Sequence, residues 1–394
     1  MKPILTIIVL SQFLCTSLWF AGNAIMPDLI RHLQVNEGFL ANITSAIQFG
    51  FIIGTLSYSI FTISDRFSPS KVFAVSAFLA AIFNLGINID TISPNILLVL
   101  RFLTGFFLAG IYPIGIKIAS DYYEKGLGKS LGFLVGALVL GTAFPHLIKS
   151  ITTNLPWKLI AYATSLFSVL GGLLILNFVP DGPYRTASSK LNYKAFLSGF
   201  KNEEFRTVAF GYFGHMWELY TFWAFVPVML AKYQLQHQNL NLNLPLLSFT
   251  IIAFGSLACV FSGIYSQKTS PYKLANIMLL SSCICCVISP LLLSNDSIYL
   301  LMCFLLFWGF VVIADSPLFS TLVAQNAPKE TKGTSITIVN CIGFFITIVS
   351  IQFIQYSSKI INSDYIYMLL AIGPIIGLLN LFIHRPQKTE ELLK

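Results

Sequence analysis

Residues 214–227 read GHMWELYTFWAFVP. His215 and Glu218 stand three apart, and no other charged residue falls between Thr207 and Ala231. The stretch is long and apolar enough to lie in lipid, whereas the pair is not. An ionisable group at bilayer depth costs roughly 2.5–3.5 kcal/mol even on the gentler insertion scale, so such a group faces a cavity or a partner. On a helix, His215, Glu218 and Phe222 share a face, with Glu218 about 4.5 Å further along the axis than His215. The expectation is that the pair faces an aqueous cavity inside a membrane protein.

The rest of the chain supports the membrane half of that reading. Of 394 residues, 56% are hydrophobic and only 10% charged, against about a quarter in soluble domains. Mean hydropathy is +0.77. Apolar runs of bilayer length recur at 3–25, 40–63, 72–90, 95–120, 129–150, 157–178, 204–231, 245–267, 273–292, 297–325, 331–355 and 363–384. The fold expected is an all-α polytopic membrane protein of about twelve transmembrane helices in two six-helix halves. The polar stretch DGPYRTASSKLNYKAFLSGFKNEEFR marks the join, giving an N-terminal half 1–180, a central linker 181–203 and a C-terminal half 204–394. The first run carries Gln12, Trp19 and Asn23 and ends without a cleavage pattern, so it reads as a retained helix. The seven cysteines all lie in apolar segments and read as small apolar filler rather than as disulfides or metal ligands.

Basic residues gather on alternate loops. Arg66, Lys71, Lys129, Arg185, Lys201, Arg206, Lys268, Lys273 and Lys332 fall on one side, against Arg31, Lys149, Lys158, Lys232 and Lys359 on the other. The positive-inside rule then places both termini and the linker in the cytoplasm. The formal charge of +8 becomes a topogenic signal and a contact for anionic lipid, not a nucleic-acid patch. The bias towards Ile, Asn and Lys points to a bacterium, hence to the cytoplasmic (inner) membrane.

An internal repeat supports two halves. SDRFSPSKVF (64–73) aligns with SQKTSPYKLA (266–275), and Gly105 and Pro113 are spaced like Gly309 and Pro317. Such duplication is the trace of a secondary transporter.

With these features the whole chain resembles the major facilitator superfamily. Asp65, Arg66 and Lys71 match that family's loop motif G-x-x-x-D-R-x-G-x-[RK]-[RK], with Phe61, Ser68 and Ser70 at its other defined positions. LRFLTGFFLAG (100–110) is similar to its R-x-x-x-G motif through Arg101 and Gly105, and GALVLGTAFPHL (136–147) matches its antiporter motif in part. The resemblance implies alternating access, with Asp65, Arg66 and Lys71 as a cytoplasmic gate and Arg101 facing the cavity.

Among the intramembrane polar groups, Glu218 is the first candidate for proton coupling. Burial disfavours a carboxylate and a nearby cation restores it, so exposure can load and unload a proton. Asp315, in IADSPLFS beside Pro317, and His215 are the other candidates. The alternative for each is a structural hydrogen bond. Arg101 and Lys117 are candidates to hold an anionic or zwitterionic solute, although Lys117 can also snorkel to the headgroups. Gln12, Trp19, Asn23, Trp217 and Tyr220 are candidate lining residues, and His146 a candidate gate.

These charges favour proton-coupled uptake of a small organic anion or zwitterion. Proton-driven efflux of cationic or lipophilic compounds is the alternative, and a non-transporting membrane sensor is the reading from another class. Neither HExxH, GxSxG nor a phosphate loop occurs, so no enzyme and no cofactor or metal is expected. The expected partners are a small-molecule substrate, protons and the lipid bilayer, with the chain acting as a monomer and no nucleic acid bound.

Overall fold

Among the residues described by the computed structural model, ten helices are long and apolar enough to cross a membrane. The structure describes residues 4–123, 127–152, 155–185, 198–328, 331–361 and 363–383. Residues 186–197 of the expected linker lie outside the described residues. All regular structure among the described residues is helical, as lipid requires of a chain that must satisfy its own backbone.

The ten are span two (Phe39–Ile60), three (Pro69–Leu85), four (Pro94–Leu108 and Tyr112–Tyr122), five (Leu127–Ile151), six (Lys158–Phe178), eight (Leu244–Tyr265), nine (Pro271–Leu293), ten (Ile298–Ala314 and Ser316–Asn326), eleven (Lys332–Ile360) and twelve (Asp364–Ala371 and Ile372–Ile383). The first and seventh positions are filled differently. Span one is not the continuous helix expected over 3–25. It is three pieces, Ile4–Thr16, Ala21–Ala24 and Met26–Leu33, with a turn over residues 17–20. Span seven runs unbroken from Glu203 to Gln236, five residues beyond the expected end.

Local chemistry starts these helices where the sequence supplies it. Asn202, Asn243 and Ser297 accept hydrogen bonds from backbone N–H groups three residues on, at 2.9, 3.1 and 3.4 Å, satisfying donors that have no partner within the helix. Pro69, Pro94 and Pro271 open spans three, four and nine, where a missing N–H costs nothing.

Gly105 and Gly309 do the same work in the two halves. A Cβ on Gly105 would sit 2.0 Å from the Ile47 carbonyl oxygen, and one on Gly309 2.4 Å from that of Ile251. Span four thus lies backbone to backbone against span two, and span ten against span eight. Each of spans four and ten then bends a few residues later, at Ala109–Ile111 and at Asp315, ahead of Pro113 and Pro317. The Ile313 carbonyl at the second bend accepts from the Cys259 thiol at 3.7 Å, so this cysteine is more than filler.

The halves meet along two seams. Spans five and eight touch through Gly132 and Gly263, where a Cβ on Gly263 would lie 2.8 Å from the Gly132 Cα. Spans two and eleven touch at both ends. Gln352 donates to Asn42 and Ser45 at 3.3 and 3.0 Å, and at the basic-loop end Ser59 meets Thr337 at 3.3 Å. Large apolar side chains such as Leu166, Phe261 and Leu291 remain exposed, the surface expected of a chain whose solvent is lipid.

Candidate functional site

Span seven carries the pair that opened the reading, and the two side chains part company. His215 Nδ1 lies 2.7 Å from Asp315 Oδ1, both groups buried. The imidazole sits between the Tyr212 and Phe319 rings, 6.1 and 6.2 Å away. Asp315 occupies the bend of span ten, where its carbonyl accepts from Phe319 N–H at 2.8 Å.

Glu218 turns instead towards spans nine and ten. Trp308 Nε1 donates to it at 2.6 Å, the Ser282 hydroxyl at 2.9 Å and the Cys286 thiol at 3.2 Å. Only 1% of Glu218 is exposed, and no cation among the described residues lies within ion-pair distance of it. Neither member of the pair opens to an aqueous cavity, which corrects the expectation drawn from helical phase. Both are enclosed within the second half, because spans nine and ten bring polar groups that complement them. The sequence reading missed Trp308, Ser282 and Cys286. One signal was available: Trp308 precedes Asp315 by seven residues, two helical turns, and so shares its face.

The first half has a hub of opposite sign. Arg101 is 1% exposed, and its guanidinium donates to Asn84 Oδ1 at 2.8 Å and to the Leu18 and Trp19 carbonyls at 2.9 and 2.7 Å. The turn in span one frees the Trp19 carbonyl and leaves that of Leu18 a single long backbone bond, from Ala21 N–H at 3.5 Å. Asn84 donates in turn to Thr164 and Ser165 of span six, at 3.1 and 3.0 Å. The cation proposed for a solute is engaged by protein on both terminal nitrogens.

The other candidates scatter. Lys117 pairs with Asp65 at 3.3 Å, at the basic-loop end. Arg185 donates to the Asp65 and Phe67 carbonyls at 3.1 and 2.9 Å, while Arg66 and Lys71 are exposed. These contacts join the loop after span two to span four and to the start of the linker after span six, and none of them reaches the second half. Asn23 donates to Thr44 at 2.8 Å. Trp217 donates to the Leu369 carbonyl at 3.2 Å and packs on Phe353, away from the first half. Gln12 is buried beside Gly115 with neither amide atom bonded. His146 is buried with Nε2 unbonded.

Trp19 and Tyr220 are brought together across the halves. Their rings stack at 5.8 Å, and Trp19 stacks on Phe344 at 5.8 Å while tilting against Phe51 at 5.0 Å. Trp223 joins through Tyr220 at 5.2 Å. Spans one, two, seven and eleven therefore contribute to one aromatic cluster on the midline. Towards the basic-loop end it adjoins a cavity of about 180 Å³ lined by Thr55, Tyr58, Asp65, Lys117, Thr337 and Asn340, among others. Thr55 and Asn340 each lie one turn from Phe51 and Phe344.

Comparison with known proteins agrees with this architecture. The sequence profile of the Major Facilitator Superfamily matches residues 8–351. No curated protein sequence matches. Among solved structures, the human organic anion transporter MFSD10 (TETRAN) is similar with a TM-score of 0.72 at 14% identity, over 97% of this chain and 100% of that one. A bacterial homologue of the human lysosomal transporter Spinster, in an inward-facing, unoccupied conformation, is similar with a TM-score of 0.68 at 12% identity, over 98% and 96%. At these identities the likeness concerns the fold.

Proposed function

Because the chain belongs to the Major Facilitator Superfamily, we propose that it is a proton-coupled secondary transporter moving a small solute by alternating access, with its proton sites in the second half. The observation that carries this reading is Glu218, a buried carboxyl met by three neutral donors and no cation. An ionised carboxylate only accepts, and that is the form three donors fit. The protonated acid must donate. Ser282 Oγ also lies 3.1 Å from the Leu279 carbonyl, so the hydroxyl can swing there and accept from the acid. Loading a proton thus reverses the hydrogen bond between spans seven and nine and commits the Ser282 hydroxyl to a bond within span nine. His215 and Asp315 form a second buried acid–base pair on the same two spans, seven and ten, that hold Glu218.

In this reading the basic-loop end faces the bacterial cytoplasm, with residues 1–180 and 204–394 as the moving halves. The bridge from Gln352 to Asn42 and Ser45 closes the outer end, and the 180 Å³ cavity marks the route from the inner end. Arg101 is a positioning residue here. Its hydrogen bonds hold span one open rather than gripping cargo. That engagement favours a second reading over anion uptake, namely efflux of lipophilic compounds. Both readings share the proton sites.

The test uses proteoliposomes carrying an internal pH dye, challenged with organic acids, amino acids and aromatic carboxylates. Solute-driven proton movement is expected in the wild type and lost in Glu218→Gln, with the variant still folded. Proton movement at wild-type rates in Glu218→Gln would remove the proposal.

A further inference from the structure

The two carboxyl oxygens of Glu218 meet different kinds of partner. Oε1 receives the Trp308 indole N–H at 2.6 Å and the Cys286 thiol at 3.2 Å, whereas Oε2 receives the Ser282 hydroxyl at 2.9 Å. An indole N–H only donates and a thiol sulfur accepts weakly, but a hydroxyl does either. The Ser282 hydroxyl also has a second place for its one hydrogen, the Leu279 carbonyl at 3.1 Å. Of the two oxygens, Oε2 is therefore the one that can carry a proton and point it at a good acceptor.

Trp308 is fixed where it stands. It is fully buried, with its ring 4.6 Å from that of Phe222 on span seven and 5.4 Å from that of Phe304 on its own span. The next residue is Gly309, whose missing side chain lets span ten lie against the Ile251 carbonyl of span eight. Held in this way, the indole can donate to Oε1 of the carboxylate and equally to the C=O of the acid. Its bond to the charged form is the stronger, so it favours ionisation.

Few other groups act on this charge. The Cys283, Cys285 and Cys286 thiols of span nine and the Asp315 carboxyl of span ten interact with it. His215, on its own span, is turned to Asp315. On the other spans packed against span seven, Cys259 faces the Ile313 carbonyl, Cys341 the Ile52 carbonyl and Tyr367 the Phe225 ring, while Asp364 pairs with Lys232. With no cation in ion-pair distance among the described residues, hydrogen bonds decide where the proton sits and how readily it loads.

We propose that Trp308 and Ser282 are the positioning residues of the proton site, Trp308 holding Oε1 and favouring the carboxylate, Ser282 making Oε2 the oxygen that takes the proton. On loading, an O–H bond forms at Oε2 and donates to Ser282 Oγ, and the Ser282 hydrogen turns to the Leu279 carbonyl. On release that O–H bond breaks, the proton leaves to water and the hydroxyl turns back to Oε2. This assignment rests on reading Glu218 as the proton-coupling carboxyl.

The experiment is an infrared difference titration of the full chain in liposomes, following the carboxylic C=O band that Glu218→Gln removes. In Trp308→Phe the loading midpoint is expected about one pH unit higher, the excess of a bond to a charged acceptor over one to a neutral acceptor. The C=O band should also rise in frequency as its donor is lost. Ser282→Ala should raise the band as well, because the acid O–H loses its acceptor, and Ser282→Thr should restore it. The midpoint in Ser282→Ala should move less than in Trp308→Phe, since the hydroxyl serves both forms. In the wild type, the 15N-labelled Trp308 indole should titrate with the same midpoint as the band, a reading that needs no variant to fold. An unmoved or lowered midpoint in Trp308→Phe, an indole that ignores the titration, or a Ser282→Thr protein that behaves as Ser282→Ala overturns the proposal. Coupling lost in Glu218→Gln with an unmoved midpoint in Trp308→Phe sinks these roles and leaves the proton-coupled function standing. Proton movement at wild-type rates in Glu218→Gln, with the midpoint shifted in Trp308→Phe, does the reverse.

Discussion

Arg101 in the first half and Glu218 in the second are buried to the same degree and tie together comparable sets of helices, yet they do opposite work. Arg101, on span four, bonds to span three through Asn84 and to span one through two carbonyls. Glu218, on span seven, bonds to span nine through Ser282 and Cys286 and to span ten through Trp308. Asn84 and Cys286 stand the same number of residues after Ser68 and Ser270, the anchors of the internal repeat. The repeat has thus kept a polar knot joining the first, third and fourth helices of each half while reversing its charge. The first knot satisfies a break in the backbone with a guanidinium. The second holds a continuous helix through a carboxyl. The two halves share a frame but differ in the charge type at its centre, and on the function proposed above that difference separates scaffold from switch.

That contrast can be broken most directly at Arg101. Arg101→Met orphans Asn84 Oδ1 and the Trp19 carbonyl and leaves the Leu18 carbonyl only its 3.5 Å bond from Ala21 N–H, at roughly 1–3 kcal/mol per orphan, and is expected to abolish monodisperse protein in fluorescence-detected size exclusion after mild heating. Arg101→Lys should fail to rescue it, because an ammonium lacks the planar fork that reaches several acceptors. An Arg101→Met protein that folds normally and loses only solute binding would reverse the roles assigned here. Gly105→Val and Gly309→Val come next. Each forces a side chain against a backbone carbonyl, and overpacking costs about 1–3 kcal/mol. Equal losses in melting temperature would confirm that the frame is the same in both halves.

Glu218→Gln should move stability by no more than about 1 kcal/mol, since the amide oxygen still accepts from Trp308 and the amide nitrogen can donate to Ser282 Oγ, whose hydroxyl turns to the Leu279 carbonyl. It should nevertheless reduce proton-driven accumulation to passive equilibration in liposomes. A large loss of fold instead would make Glu218 a second Arg101. The smallest effect concerns a surface staple. The Tyr233 carbonyl and Asp296 hold the His237 imidazole above its ordinary range. Its stabilisation is complete below the unfolded imidazole pKa of about 6.5 and lost as pH rises through the higher folded value. Asp296→Asn should shrink this pH step, itself on the order of a degree in melting temperature, while the Tyr233 carbonyl still bonds the ring.

The helical spans were readable because lipid admits few alternatives, and the loops between them carry Pro, Asn and charge. The break in span one was not. Ser17-Leu18-Trp19-Phe20 contains neither Gly nor Pro, and the donor that meets the turn's carbonyls is Arg101, far along the chain. For the same reason a cation in span four could be placed at membrane depth without revealing its partners. Glu218, His215 and Asp315 were legible as costly groups that required explanation. The partners of Glu218 were not, because Ser282, Cys286 and Trp308 are ordinary residues made specific by helix packing.

The broken first span also bears on how the protein is made. Trp19 and the arginine that donates to its carbonyl lie 82 residues apart, so the segment emerges from the ribosome before that arginine does. An open turn in hydrocarbon with no donor leaves costly unsatisfied carbonyls, which favours a plain helix as the newborn form. The native turn can then form only once the fourth span has been inserted, making remodelling of the earliest helix a late step of co-translational assembly.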